Sequence, residues 1–449
     1  MLFLLLLHVA RAAAQNRPLL TLDNVYSQSA PSPPFFTLPS ASQLAISVAL
    51  CSGNLDTAVP RFFVTNSSST ASPGSGGGDD VFEIILSQGQ GSWTGVFPSG
   101  GVVGVEGAGQ MPFEIGVSQD GPLHEILDTQ PLVGDSTGTA ALLFSPAYSA
   151  PTTGIPAYPN YSLPAAIPSL PAPPAPTNCT LVVSPTSNSL TSMPQTACML
   201  TSLKSSGTIV NESLWLRDHE GWRTEWLLTG LTAKTNYTMY AIQEQHKVAG
   251  PIFFTTKSSS FSCPLVSRLP YCPMIAYAMP LPPPPSPQVV YDSTNLPAGI
   301  SDPVTEVLTN FTTVLNTFAC GRDFYSPIVT CQDCQSTYRT WLCAISFPRC
   351  ADPDTAPAAA ALLPSQAPNM RNSAFPPGNN YTQLLPCLEA CTATDRACPN
   401  FLGFKCPLPR FNAAQSYGVG YIDSGVDGEQ GGGSTGAWSD NYGNVWCNW

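Results

Sequence analysis

Short apolar runs broken by glycine and serine fill residues 34–146 of the chain. They include QLAISVALC, RFFVT, VFEIILSQG, SWTGVF, FEIGVS and AALLFSP, and they are rich in valine, isoleucine and phenylalanine. Runs of this length, with turns such as SPGSGGGDD and PSGG between them, are typical of antiparallel sandwiches. The pattern predicts a β-sandwich-like domain over residues 16–147.

A second alternating pattern covers residues 179–257. Its later part, TGLTAKTNYTMYAI followed by IFFTTK, resembles half of a fibronectin type III domain, a likeness that says little about function. The residues between the two patterns, 148–178, are dense in proline and nearly without charge. Such a composition predicts an extended linker that separates two β domains.

Helical spacing replaces this alternation in residues 258–449. One predicted helix has Asp302 as N-cap, Pro303 in its first turn and an apolar face formed by Val304, Val307, Leu308, Phe311, Val314, Leu315 and Phe318. A second, ended by Pro348, shares a face among Cys331, Cys334, Tyr338, Trp341, Leu342 and Ile345. A third places Cys387, Cys391 and Cys398 on one side.

These patterns predict a multidomain protein. N-terminal all-β sandwich-type domains precede a disulfide-rich, mainly helical cysteine-rich domain, interrupted by Pro/Ala-rich insertions, at residues 258–449. The opening MLFLLLLHVARAAAQ has an apolar core and an Ala-x-Ala pattern, which predicts a signal peptide over residues 1–15 and export of the chain. No later apolar run reaches the ~18 residues of a membrane-spanning helix, so we expect no pore from this chain alone.

Charged residues make up only 10% of the chain, and the formal net charge is -12. An acidic balance argues against a nucleic-acid ligand. Surface carbohydrate would supply the missing polarity, and asparagines in N-x-S/T sequences predict seven N-glycosylation sites: Asn66, Asn160, Asn178, Asn211, Asn236, Asn310 and Asn380.

The cysteines of an exported chain predict a disulfide framework. There are 15, and 12 of them lie from Cys263 to Cys447. Because 15 is odd, at least one thiol is free or pairs between chains, and the isolated Cys51 is the candidate. We also expect a bridge between Cys179 and Cys198.

The stretch TCQDCQSTYRTWLCAISFPRC contains the one Cys-x-x-Cys of the chain, Cys331 and Cys334. Zinc needs about four ligands, often from two such pairs, and a thiol-exchange site needs a surrounding βαβ unit. The sequence offers neither, so a structural staple is favoured over both. It also shows no marked carboxylate pair and no nucleophile elbow, the strand-to-helix turn in which a catalytic G-x-S-x-G stands. We expect no enzyme, no metal and no cofactor.

Aromatic and arginine residues of the cysteine-rich region are the remaining candidates for binding: Tyr338, Arg339, Trp341, Arg349, Arg396 and Phe404. Core packing is the simpler interpretation of Tyr338 and Trp341, which share a helical face. Arginine is enriched in binding hot spots. Arg339, Arg349 and Arg396 are therefore the predicted partner contacts.

The cysteine-rich stretches, together with CPLVSRLPYCPMIAYAMP and VGDSTGTAALLFSP, resemble the fungal stretch-activated calcium channel components. PCLEACTATDRACPNFLGFKCP also resembles a Frizzled-type cysteine-rich domain. The resemblance covers most of the chain, and its Cys-x2-Cys-x8-Cys-x6-Cys spacing is specific. It implies structural disulfides among Cys263, Cys272, Cys331, Cys334, Cys343, Cys350, Cys387, Cys391, Cys398 and Cys406, to which we add Cys320 and Cys447.

What the resemblance implies about function is an auxiliary subunit of the high-affinity calcium channel complex. Such a subunit is glycosylated, binds the outer face of a large four-repeat channel chain, and supports calcium influx. We therefore expect a location at the extracellular face of the plasma membrane, peripheral to it through the partner, with the endoplasmic reticulum as a second location.

Two hypotheses from other classes remain open. One is a secreted or wall-associated glycoprotein that binds lipid or glycan through its cysteine-rich domain, which an apolar groove there would favour. The other is a secreted hydrolase, which needs a nucleophile beside a base, or a convergent acid pair, in one cleft.

Overall fold

A computed structural model describes residues 17–29, 33–53, 59–67, 70–107, 111–150, 157–187, 190, 192–352, 354, 362–365, 381–408, 413, 416–418 and 447–449. The predicted signal peptide, Asn380 and most of the Pro/Ala-rich segment after Cys350 lie outside these residues. The described chain forms two compact units. Unit 1 contains the residues up to Ile126 together with Ser187–Leu203 and Gln245–Val248, and unit 2 contains the rest.

Unit 1 consists mainly of two antiparallel four-stranded sheets, in the orders β1-β8-β3-β6 and β2-β7-β4-β5. Its elements are β1 Asn24–Gln28, β2 Phe35–Leu38, β3 Ala41–Leu50, β4 Arg61–Thr65, β5 Val81–Ile84, β6 Gln90–Phe97, β7 Gly101–Glu106, β8 Phe113–Ser118, β9 Glu125–Ile126 and α1 Ala197–Ser202.

One apolar core joins both sheets of unit 1. Phe36 and Phe62 from one sheet meet the ring of Phe113 from the other edge-on, with centroids 6.3 and 5.0 Å away. Sheets that share one core in this way form a sandwich. The predicted β-sandwich is therefore present, although it ends earlier than residue 147.

Unit 2 begins with seven strands in two further sheets. β10, β11, β14 and β13 form one, and β12, β15 and β16 form the other. The strands are β10 Leu132–Ser136, β11 Ala140–Phe144, β12 Cys179–Pro185, β13 Thr208–Asp218, β14 Gly221–Thr229, β15 Asn236–Gln243 and β16 Lys247–Thr255. The domain boundary predicted at residue 147 is wrong, because Ala140–Phe144 pairs with Glu225–Thr229 of β14. The two strands are more than 80 residues apart in sequence, so a local pattern could not predict that they pair.

The cysteine-rich part of unit 2 has few helices, joined by irregular segments and short strands. Its elements are β17 Leu265–Val266, β18 Tyr277–Ala278, α2 Ala298–Leu315, α3 Cys331–Ser346, β19 Arg349–Ala351, β20 Leu362–Ser365, β21 Tyr381–Leu384, α4 Leu388–Ala397 and a 3-10 turn at Asn400–Leu402. The helix expected at Cys331 is confirmed. The prediction of a mainly helical domain is only partly confirmed, because short strands and irregular segments lie between the helices.

Helix α2 begins earlier than predicted. Its N-cap is Pro297, so Asp302 and Pro303 lie inside it. Ile300 is buried in the same core as Val304 and extends the apolar face by one turn, which explains the earlier start. Val307 and Val314, assigned to that face by spacing, are exposed.

The proline-rich segment packs against α3 instead of separating two domains. Ala165 and Ala166 offer carbonyl oxygens to the Arg339 guanidinium, and Pro164 offers its own to Gln335. Leu163 is buried beside the cysteines of the helix start. Among the described residues, we find no helix with the length and apolarity to cross a membrane.

Candidate functional site

Disulfides define the cysteine-rich part of unit 2. Six lie there, joining Cys263–Cys350, Cys272–Cys343, Cys320–Cys331, Cys334–Cys398, Cys387–Cys447 and Cys391–Cys406. The two cysteines of the Cys-x-x-Cys are bonded to different partners. Neither is a free thiolate for zinc or for thiol exchange, and the staple interpretation holds.

Two cysteine predictions are wrong. Cys51 is not free but bonds to Cys198, and Cys179, expected to bond to Cys198, carries the free thiol. Helix α1 brings Cys198 to the end of β3, where the hydroxyl of Thr196 donates to the carbonyl of Leu50. Burial, with the nearby Glu212 carboxylate, raises the pKa of the Cys179 thiol to about 12.

The start of α3 is fixed by a capping box. The Thr330 hydroxyl accepts from the Asp333 N–H at 3.3 Å, and the Asp333 carboxylate accepts from the Thr330 N–H at 2.8 Å. The letters TCQD carry this arrangement, with an aspartate where Glu or Gln is more usual. It orients the first turn so that Cys331 and Cys334 reach Cys320 and Cys398.

Arg339 is a clamp between chain segments and is not free for a partner. Its guanidinium donates to the carbonyls of Ala165, Ala166 and Tyr271 at 2.8 to 3.1 Å. Burial lowers its pKa to about 10, which still leaves it cationic at neutral pH. The prediction that Arg339 meets an acidic partner is wrong, because main-chain oxygens of this chain already occupy it.

Arg349 is also wrongly predicted as a surface contact, since only 3% of it is exposed. Its Nε donates to the Asp135 carboxylate at 3.2 Å, and Lys257 approaches the same carboxylate at 2.8 Å. Burial would raise the pKa of Asp135, but the charges of Arg349 and Lys257 outweigh it and hold that pKa below its usual value. This cluster ties β10 to the cysteine-rich segments.

Of the three arginines, Arg396 is the one left exposed on the surface. Its Nε donates to the Thr392 carbonyl one turn back in α4 at 3.2 Å. A guanidinium on that turn can still reach an external acid. Arg396 therefore stays a predicted partner contact.

The aromatic candidates pack against each other, as the simpler interpretation has it. Tyr338 stacks on Phe311 with ring centroids 3.5 Å apart, and Trp341 meets Phe404 edge-on at 4.7 Å. The Trp341 indole also donates to the Tyr417 hydroxyl at 3.0 Å. These rings join α2, α3 and the segment after α4.

A loop that sequence reasoning missed has the most exposed large apolar side chains among the described residues. Residues 320–331, here the stapled loop, are closed by the Cys320–Cys331 disulfide. Phe324 is 84% exposed and Ile328 is 86% exposed. Between them, the Tyr325 hydroxyl lies 2.7 Å from the carbonyl oxygens of both Thr330 and Ala397 and donates its single proton to one of them at a time. The loop is thus held at its ends and near its middle.

A cavity of about 350 Å³ lies in unit 2 beside α3. The prolines of residues 164–171, the end of β13 and the segment 270–275 line it with largely apolar surface. Arg217 is on its wall, 5% exposed, over the ring of Phe144, and its buried Nη1 has no hydrogen-bond partner among the described residues. Such a cavity suits an apolar molecule with an anionic group.

Comparisons with known proteins match this chain to one family. Residues 46–431 match the Mid1 family, described as a stretch-activated Ca²⁺-permeable channel component. "Stretch-activated cation channel MID1" of Cryptococcus neoformans is 32% identical over 393 residues, covering 76% of this chain and 63% of that protein. The protein of the same name from Saccharomyces cerevisiae is 31% identical over 40% of this chain and 34% of its own length.

A third relative, "Stretch-activated cation channel yam8" of Schizosaccharomyces pombe, is 29% identical over 44% of this chain and 41% of its own length. The chain thus spans less than two thirds of these relatives. A solved structure of a purple acid phosphatase from yellow lupin covers 66% of the chain at a TM-score of 0.17, too low to indicate a shared fold. From the match over residues 46–431, the chain belongs to the Mid1 family of stretch-activated Ca²⁺-permeable channel components.

Proposed function

We propose that this protein is an extracellular, glycosylated auxiliary subunit of a plasma-membrane calcium channel. It binds the outer face of a large four-repeat channel chain and supports calcium influx, without enzymatic activity of its own. Family membership supports a role in cation entry. The disulfides support an oxidising compartment, since such bonds persist outside the cytosol.

The observation that carries the proposal is the exposure of Phe324 and Ile328 on the stapled loop. Burying one such side chain against a partner is worth about 1.5–3 kcal/mol. A loop already closed by a disulfide loses less conformational entropy on binding than a free one. Two large apolar groups on a pre-ordered loop are a docking feature that a chain acting alone would not need.

The predicted glycosylation sites distinguish the stapled loop from helix α2, because the helix contains a site and the loop does not. Asn160, Asn178, Asn211, Asn236 and Asn310 are exposed, and Asn66 is half-buried with its amide donating to the Val96 carbonyl at 2.9 Å. Asn310 shares the outer face of α2 with the exposed Val307 and Val314, at helical spacing. A glycan on Asn310 would cover that face, whereas residues 320–331 contain no sequon.

The test is purification of the tagged protein from its native membrane in detergent, followed by mass spectrometry of what stays bound. We expect a four-repeat channel chain in stoichiometric amount. Phe324→Ser with Ile328→Ser should reduce its recovery at least tenfold. Ile85→Ser is the matched control, because Ile85 is 72% exposed but lies in unit 1.

Recovery of the protein without any channel chain, and unchanged calcium uptake after its deletion, would overturn the auxiliary-subunit proposal. Equal losses in the loop variant and in Ile85→Ser would overturn the assignment to the stapled loop alone. Glycopeptide mass spectrometry of the same preparation reports whether Asn310 is occupied.

The cavity beside α3 supports a second candidate, the binding of a lipid-like molecule. A guanidinium nitrogen without a hydrogen-bond partner, on the wall of a largely apolar cavity, favours an anionic group on an apolar body. A glycan would need more polar partners than this wall offers. Organic extraction of the purified protein should then release one such molecule per chain. Arg217→Met should empty the cavity, and an empty wild-type cavity would contradict this candidate.

A further inference from the structure

A second cluster of side chains, in unit 1, has the composition of a metal site. Glu114 of β8, His124 just before β9, and His246 just before β16 place one ligand atom each within 4.8 Å of one another. The Glu114 Oε2 lies 3.3 Å from Nε2 of His124 and 4.0 Å from Nδ1 of His246. All three residues belong to unit 1.

The distances come close to what a bound ion requires. Zinc binds imidazole nitrogen at about 2.0–2.1 Å and carboxylate oxygen at about 2.0–2.2 Å, so tetrahedral ligand atoms lie roughly 3.3–3.5 Å apart. The Glu114 to His124 separation of 3.3 Å already fits. The His246 ring, at 4.0 Å, needs to move by less than about 1 Å, and its side chain is 27% exposed.

Outer contacts hold two of the ligands in place. The Ser47 hydroxyl lies 3.0 Å from Nδ1 of His124 and also accepts from the His124 N–H at 3.1 Å. The Ser27 hydroxyl donates to the other Glu114 oxygen at 2.8 Å. Metal-binding histidines and carboxylates characteristically have such second partners, which fix the ring tautomer and the carboxylate orientation.

One atom of the cluster lacks a partner. Nδ1 of His246 is buried and has no hydrogen bond in the described structure, although buried polar atoms nearly always have one. The His246 ring stands 71° to that of His124, with centroids 5.5 Å apart, and its Nδ1 lies 4.0 Å from Oε2 of the shared carboxylate. A cation between the three ligand atoms would satisfy that nitrogen.

We propose that Glu114, His124 and His246 form a zinc site with its fourth position open to water. Two imidazoles and one carboxylate suit Zn²⁺ among physiological ions, whereas Ca²⁺ and Mg²⁺ require mostly oxygen ligands. The site is therefore separate from the calcium that the channel conducts. Nothing in the sequence indicated it, because His246 is far from Glu114 and His124 along the chain and the three residues lie in no metal-binding motif.

The proposal is tested on the full-length glycosylated protein, stripped with a chelator and then titrated with Zn²⁺ by calorimetry and with Co²⁺ by visible absorption. We expect one Zn²⁺ per chain, the d–d bands of four-coordinate Co²⁺, and no competition from excess Ca²⁺. His246→Gln should weaken Zn²⁺ binding by more than the roughly 10- to 100-fold that loss of a second-shell partner costs. Ser27→Ala, which removes such a partner, should lose about tenfold.

His219→Gln is the matched control, since His219 is exposed in the turn after β13. Its Zn²⁺ affinity should equal that of the wild type. Circular dichroism of metal-free His246→Gln must match that of the wild type, and a variant that fails this check is replaced by Ser27→Ala as the deciding comparison. No stoichiometric Zn²⁺ binding in the wild type, or equal affinity in His246→Gln and His219→Gln, would overturn the site.

Discussion

Unit 1 and the cysteine-rich part of unit 2 are stabilised in different ways. Unit 1 has one continuous core between two sheets and a single disulfide, Cys51–Cys198. The cysteine-rich part has a main core of similar size and two small clusters around its cysteines, and it adds six disulfides and a buried ion cluster. In the cysteine-rich part, covalent and ionic links therefore supplement the apolar core, and a disulfide can hold a surface loop whose apolar side chains stay exposed.

Reduction of the disulfides should have the largest effect on this contrast between the two regions. Each bridge stabilises a fold by roughly 2–4 kcal/mol, so the loss of six should unfold the helices α3 and α4. Hydrogen exchange in the presence of reductant should show those helices unprotected while β3 and β8 of unit 1 stay protected. Simultaneous loss of protection in both regions would contradict the contrast.

Asp135→Asn probes the ionic link. Removing one partner of a buried ion cluster costs about 3–5 kcal/mol, because Arg349 and Lys257 then lose the carboxylate that they share. Since the folded pKa of Asp135 is lowered, its contribution is present above the unfolded value of ~3.9 and is lost as pH falls through the folded pKa. Denaturant unfolding from pH 7 to pH 2 should show this acid-dependent component in the wild type and not in Asp135→Asn.

Asp128→Asn serves as the control for that variant, because Asp128 is exposed in the same unit. We expect it to change the free energy of unfolding by less than about 0.5 kcal/mol. A loss of equal size in both variants would mean that the buried cluster has no special role.

Arg339 and Arg396 allow a comparison between an arginine bonded within the fold and one exposed on the surface. Arg339→Lys loses the planar fork that reaches three carbonyls, and we expect about 2 kcal/mol of destabilisation. Arg396→Lys should change stability by less than about 0.5 kcal/mol, because that side chain is exposed. Thermal unfolding of the two variants compares them directly, and a larger effect for Arg396→Lys would reverse the assignment.

Cys179 gives the smallest expected effect. With a pKa of about 12, its thiol should resist iodoacetamide at pH 8 in the native protein and react once the chain is unfolded. Intact-mass measurement should find no label before denaturation and one label per chain after it. Labelling of native Cys51 instead would restore the sequence-based assignment of the free thiol.

The parts predictable from sequence are those governed by local pattern. Alternation predicted the strands of unit 1, and helical spacing ended by Pro348 predicted α3. The pairing of β11 with β14 across the proline-rich segment, and of Cys51 with Cys198, depends on contacts between residues far apart in sequence, which a local pattern does not encode.

The candidate site was harder to predict than the fold. Charge pointed to Arg339 and Arg349, yet burial had already committed both to partners within the chain. Phe324 and Ile328 had no periodicity to identify them as exposed, and they became visible only once the Cys320–Cys331 bridge was known. Exposure of apolar residues is a property of tertiary structure, which the sequence does not show directly.

The most direct test of the central claim places a benzophenone amino acid at position 324, and separately at position 85, in the protein expressed in its native membrane. After irradiation, we expect the position 324 probe to cross-link to an extracellular loop of a four-repeat channel chain, identified by peptide mass spectrometry, and the position 85 probe not to. Cross-linking to the channel from position 85 but not from position 324, or from neither, would contradict docking through the stapled loop.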